Sequence, residues 1–240
     1  MRDWYDILAT TLEKHSKLAA ADIARLRRLP VTTRSVAAHE DIVRQGDKPN
    51  VSVAVIEGVL ARYHMLQGGG RQYLSLHIAG DLPDLQALFL DQMDHALCAI
   101  NGAAIALMPH KALLRLLDES PKLAVAFWRE TLIDAAIFRE AITNNSARPP
   151  AKRLAHFLCE QYHRARLVGL VKSGACDLPL TQMQLGEALG LSLPSITRAM
   201  RPLKGIAEMK GGLLHVHDWP GLVDLGEFDP GYLHVVKSQR

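Results

Sequence analysis

Along the first thirty residues, apolar side chains recur at helical spacing. Trp4, Ile7, Leu8 and Leu12 share one face, and Ile23 and Leu26 resume it after Asp22 until Pro30 interrupts. From about Val31 the period changes. Short apolar or β-branched runs at Val51–Ile56, Leu74–Ile78 and Ala103–Leu107 alternate with turns at Gly46, Gly58, Gly68–Gly70, Gly80 and Gly102. Short strands at this spacing predict an antiparallel sandwich or barrel whose apolar interior has room for a small ligand. The chain as a whole therefore reads as α+β.

Helical periodicity returns after Pro109, and a longer helix is predicted from Ser120-Pro121 to about Thr143, with serine at the N-cap and proline in the first turn. Leu123, Phe127, Leu132, Ile133, Ala136, Ile137 and Ala141 give it an apolar face wider than one small barrel requires. A second copy of the helix would cover the excess, which makes Leu123, Phe127, Ile133 and Ile137 the expected dimer interface. Asn144-Asn145-Ser146 and Arg148-Pro149-Pro150 read as a hinge. The expected organisation is a sensor domain over 1–119, a dimerisation helix and hinge over 120–146, and a third region over 147–240.

That third region carries the most specific signal. Thr181 and Gln184 form a capping box, Leu185, Ala188 and Leu189 give an inward stripe, and Gly190-Leu191 makes a tight turn. Ser192 is placed to cap a second helix. Two short helices joined in this way predict a helix-turn-helix, whose second helix enters the DNA major groove. On that helix Ile196, Ala199, Met200 and Leu203 point inward, while Pro194, Thr197, Arg198 and Arg201 share the opposite face. Arg198 is the candidate for a bidentate contact to guanine, worth about 1 to 3 kcal/mol of discrimination, and Thr197 suits a thymine methyl or a polar base edge. Ser195, Arg201 and Lys204 are expected on phosphates. Pro202 would cost about 3 kcal/mol or more inside a helix, so the helix should end or kink there. Residues Ile206–Lys210 and Leu213–His217 flank Gly211-Gly212 as a hairpin wing with Lys210 near its tip. Asp218 should then cap a short closing helix, followed by a mobile tail.

Charge sharpens this picture. The net charge is +3, divided into about −1 up to Ala147 and about +4 beyond it, so the DNA-reading region is the basic one. No apolar run reaches the length of a membrane span, and Met1–Asp6 shows no basic segment leading into an apolar one. Cytoplasm is the expected location, with no membrane partner. The three cysteines, Cys98, Cys159 and Cys176, form no Cys-x-x-Cys pair, and the N-terminal third has none. Neither a disulfide framework nor an iron-sulfur cluster is expected. His39, His64, His77 and His95 lack metal-ligand spacing, and the one His-x-His, His215 and His217, falls in the wing. No nucleophile elbow, P-loop or dinucleotide fingerprint occurs, so no catalytic residue, metal or enzymatic activity is expected.

The order of parts resembles the Crp/Fnr family of transcription regulators. The similarity is carried by Lys152–Glu160, by Leu178–Gln182, by Leu189–Ser192 leading to Arg198, and by Gly46, Gly58 and Gly80. It implies a jelly-roll-like β-roll of the cyclic nucleotide-binding type, a dimerisation helix and a winged helix-turn-helix. It also implies a homodimer on palindromic double-stranded DNA that works with RNA polymerase, with Arg198 as the base-reading arginine and Pro194 and Thr197 beside it. Gly80, Asp81, Asp94, His95 and His77 would surround the effector. Cyclic-nucleotide binders of the family carry a phosphate cassette with Gly-Glu at its start and Arg-Ser/Thr-Ala near its end. Here Gly80-Asp81 and Asp94-His95-Ala96 stand there, and a carboxylate near a phosphate repels it, which argues against cyclic AMP. Two other readings remain: a small-molecule sensor with a vestigial DNA domain, and a metal-dependent barrel enzyme with a helical accessory.

Overall fold

The computed structural model describes residues 3–235, so Met1, Arg2 and the end of the expected tail, 236–240, lie outside the described residues. By packing, the chain divides into two units. Among the described residues, the first comprises 3–62, 76–135 and 233–235, and the second comprises 63–75 and 136–232.

In the first unit, the helical stretch at the N-terminus is two helices, α1 (Trp4–His15) and α2 (Ala20–Leu26). Seven strands follow, β1 (Thr32–Val36), β2 (Asp41–Val43), β3 (Val51–Glu57), β4 (Leu60–Met65), β5 (Arg71–His77), β6 (Ala96–Ala99) and β7 (Ala103–Pro109), with residues 63–75 of β4 and β5 counted in the second unit. They form two sheets, ordered β1-β7-β3 and β2-β6-β4-β5, with β7 antiparallel to both its neighbours. This is the expected β-roll. β3 is apolar without alternation because both its faces are covered. Val53 and Val55 enter the core shared with Val36, Leu60, Leu97 and Ile105, whereas Ala54 and Ile56 enter a second core built with Leu8, Leu12, Met108 and Phe127.

α3 (His110–Glu119) and α4 (Pro121–Ala147) follow. Ser120 caps α4 as expected, its hydroxyl accepting the Leu123 amide at 3.3 Å and donating to Asp22 at 2.8 Å. α4 runs past Thr143 to Ala147, because Asn144 and Ser146 bond without leaving the helix: Ser146 Oγ donates to the Ile142 carbonyl at 2.7 Å.

The expected dimer face needs correcting. Leu123 and Phe127 are consumed by the core they share with α1 and α3, Ile133 is also buried, and Ile137 is half-buried. The apolar positions left in solvent are instead Val125, Trp128, Leu132 and Ile142, with Trp128 66% exposed.

The second unit holds α5 (Pro150–Leu167), β8 (Ala175–Asp177), α6 (Gln182–Leu189), α7 (Leu193–Ala199), β9 (Ala207–Lys210), β10 (Leu213–Val216) and α8 (Trp219–Gly226). Its sheet is ordered β8-β10-β9 and is antiparallel throughout. β8 is not among the strands expected from the sequence.

Candidate nucleic-acid interface

The helix-turn-helix forms as its sequence dictates. Thr181 Oγ1 accepts the Gln184 amide at 3.2 Å, and Gln184 Oε1 accepts the Thr181 amide at 2.9 Å. α6 ends on Gly190 in the left-handed region at φ 63°. The turn depends on a second glycine that sequence reasoning passed over. A Cβ at Gly186 would lie 2.5 Å from the Leu191 carbonyl oxygen, and the Leu191 amide is itself bound to the Gly186 carbonyl at 3.0 Å. Only a residue without a side chain lets the chain fold back this closely.

Ser192 occupies the N-cap of α7, but its hydroxyl makes no capping bond; it meets the Ser195 hydroxyl at 3.0 Å instead. Ile196, Ala199 and Leu203 are buried and Met200 is half-buried, while Pro194, Thr197, Arg198, Arg201 and Lys204 are exposed. The predicted division of this helix into an inward and an outward face therefore holds. α7 stops at Ala199, and Pro202 sits in a 3-10 turn, Arg201–Leu203, where its missing donor costs little.

Ser195 is placed differently from expectation. Half-buried, it lies between Ser192 and Arg198, whose Nη2 donates to its Oγ at 3.2 Å. The Thr197 hydroxyl reaches the Leu193 carbonyl at 3.1 Å and the Gln182 side-chain oxygen at 3.3 Å, which brings the first residue of α6 to the reading face. The wing forms from β9 and β10 with Lys210 exposed at its tip, and Asp218 caps α8 by accepting the Gly221 amide at 3.0 Å.

Two polar contacts hold α6 from behind. The last carbonyls of a helix lack internal partners. Here Arg153 Nη1 on α5 donates to the Leu189 carbonyl at 2.9 Å, and Asn145 Nδ2 on α4 donates to that of Ala188 at 3.2 Å. Within the same unit, Gln184 Nε2 reaches the hydroxyl of Tyr73, on the 63–75 hairpin, at 3.5 Å. The sequence signal for Arg153 was an arginine at the start of α5, one turn from the hinge. On the far side of α5, the Tyr232 hydroxyl donates to Glu160 at 2.8 Å, and burial raises that carboxyl.

The residues expected around an effector fall into two pairs. His77 is buried with Nδ1 3.8 Å from Asp81 Oδ2, which also accepts the Ile78 amide at 2.9 Å. His95 is buried with Nδ1 2.6 Å from Asp94 Oδ1, and the Asp94 side chain is 76% exposed. The carboxylate expected to face a phosphate thus stands in water, where its field is screened. Gly80 is correspondingly a packing position. A Cβ there would lie 2.3 Å from Thr11 Oγ1 of α1, and φ is +99°.

Two family models match the chain: the cyclic nucleotide-binding domain over 33–120 and the Crp-like helix-turn-helix domain over 152–225, together about two thirds of it. An anaerobic regulatory protein of Haemophilus influenzae is 25% identical over 198 residues, covering 82% of this chain and 77% of that protein. The fumarate and nitrate reduction regulatory protein of Vibrio cholerae is 23% identical, covering 87% of this chain and 84% of its own. Among solved structures, FixK2 from Bradyrhizobium japonicum superposes with a TM-score of 0.74 at 24% identity, covering 82% of this chain and 98% of that one. The chain belongs to the Crp/Fnr family of transcription regulators, with a cyclic nucleotide-binding-like sensor domain and a winged helix-turn-helix.

Proposed function

We propose that the protein acts as a homodimer that presents α7 of each copy to successive major-groove faces of a palindromic operator. The observation that carries this reading is the outward face of α7, where Pro194, Thr197, Arg198 and Arg201 stand in solvent opposite buried Ile196 and Ala199. Arg198 reads guanine and Thr197 reads its neighbour, while Arg201, Lys204 and Lys210 neutralise phosphates. Ser195 orients Arg198. Tight binding to one duplex, with a salt slope that shrinks by about one for each of Lys204 and Lys210 neutralised, tests the assignment. Binding that ignores both sequence and Arg198 would refute it.

Dimerisation is supported by α4. Val125, Trp128 and Leu132 follow the three-four spacing of a two-helix seam, and all three are exposed. Trp128 also borders an apolar groove of about 520 Å³ with Phe89, Leu90 and Leu114, so the exposed surface is broader than the helix alone. In this reading the dimer acts in the cytoplasm through RNA polymerase and has no enzymatic role.

The effector in this reading is not cyclic AMP, since the cassette lacks an arginine near its end and Gly80 is covered by Thr11. An iron-sulfur cluster is equally disfavoured by three buried thiols divided between the two units. Among the described residues no helix is long and apolar enough to cross a membrane.

A further inference from the structure

The sensor unit contains a buried ionic cluster whose charges do not balance. Arg62 of β4, only 3% exposed in its side chain, donates from Nε to the Pro83 carbonyl and from Nη1 to Asp134 of α4, both at 2.6 Å. Asp84, in the cassette beside Pro83, is fully buried. Its Oδ1 accepts the Val53 amide at 2.7 Å, but its Oδ2 has no hydrogen-bond partner. Glu130, one turn before Asp134 on α4, likewise has a buried Oε1 without a partner.

Charged groups from several elements surround them. α1 contributes Lys14, α4 contributes Arg129 and Asp134, the cassette contributes Asp81, and β4 contributes Arg62. His77 of β5 faces Asp81 in turn. Arg129 is already occupied by the His15 carbonyl. Four carboxyl groups therefore share a region in which the one deeply buried cation, Arg62, is committed to Asp134. A carboxylate left ionised and unpaired at such depth is expensive, and the neutral acid is the form that the site accommodates.

Granted the regulator reading, we propose that this cluster is a proton-binding sensor: Asp84 and Glu130 hold protons when α4 is firmly attached to the β-roll, and their ionisation loosens that attachment. Burial pushes Asp84 up to about 7, against the Val53 amide and Arg62. Burial pushes Glu130 up to about 8, with Lys14 opposing and Asp81 and Asp134 adding to the rise. Both groups thus exchange protons near neutrality. Ionised Asp84 competes with Asp134 for Arg62, and ionised Glu130 repels Asp81 and Asp134. Each change weakens the tie between Arg62 and the helix that runs on to Ala147. The linkage has a definite sign. A carboxyl whose folded value is raised stabilises the fold at low pH, and the contribution disappears as pH climbs from the ordinary carboxylate range through 7 to 8.

The test uses the full-length protein. Carboxyl carbon-13 resonances of Asp84 and Glu130, assigned with the Asp84→Asn and Glu130→Gln variants, should titrate between about pH 6 and 9. The melting temperature should fall by about 5 °C or more over that range, and by clearly less in the double variant. Affinity for a duplex selected from random sequence with this protein should change severalfold between pH 6.5 and 8.5 in the native chain only. Carboxyl groups already ionised at pH 5.5, or an equal pH dependence in native and double-variant protein, would overturn the proposal. If the variants fail to fold, the native resonances still decide, assigned through their neighbours. Absence of DNA binding at every pH, with both titrations as expected, would defeat the regulator reading and leave the proton site standing.

Discussion

Arg198 and Ser195, three residues apart on α7, are joined by a hydrogen bond of 3.2 Å from the guanidinium to the hydroxyl. The arginine is exposed, so its direction is set by this contact rather than by packing. A guanidinium already aimed loses less entropy when it meets a base edge. Arg198→Ala should remove about 1 to 3 kcal/mol of discrimination at one position of each half-site. Ser195→Ala should cost less affinity but relax the same position. Binding to duplexes substituted base by base measures both effects, and a loss spread evenly over all positions would assign Arg198 to phosphate instead.

Gly186→Ala should destabilise the DNA-binding unit by about 1 to 3 kcal/mol, because the added Cβ would meet the Leu191 carbonyl at 2.5 Å. Denaturant melts of native and variant protein give the difference. A substitution tolerated without loss would mean that the turn shifts freely.

The DNA-binding half was the more legible part of the sequence, and the reason is local. Capping boxes, a glycine in the left-handed region and paired glycines in a hairpin each act within four residues, so Thr181, Gln184, Gly190 and the wing could be read directly. The less legible features involve partners distant in sequence. Leu123 and Phe127 looked free because nothing nearby showed that α1 and α3 would cover them. The packing of Gly80 gave no signal, because Thr11, which an added Cβ would meet, is almost seventy residues away. Arg62 gave no signal at all, since a lone arginine in a strand carries no hint that Asp134 will meet it.

The seam on α4 separates two substitutions that periodicity alone treats alike. Trp128→Glu together with Leu132→Glu should yield a folded monomer, since both side chains stand in solvent. Phe127→Asp should instead unfold the sensor unit, where burial of an unpaired carboxylate and loss of the ring together cost several kcal/mol. Sedimentation and circular dichroism on the same samples distinguish the outcomes. A double variant that remains dimeric would remove α4 from the interface.

Arg153→Met should lower stability by about 1 to 3 kcal/mol by leaving the Leu189 carbonyl unpaired. It should also weaken DNA binding without changing base preference, because Arg153 supports α6 and does not reach the reading face. A change in preference would show that its contact sets the angle of α7.

The most direct test of the account is selection of binding sites from random duplex by the full-length protein. Two inverted half-sites centred about 10 to 11 base pairs apart should emerge. Each should contain a guanine whose enrichment vanishes with Arg198→Ala. Recovery of unrelated or unpaired sequences, or the same guanine in the variant's sites, would contradict the claim that α7 reads DNA in two copies.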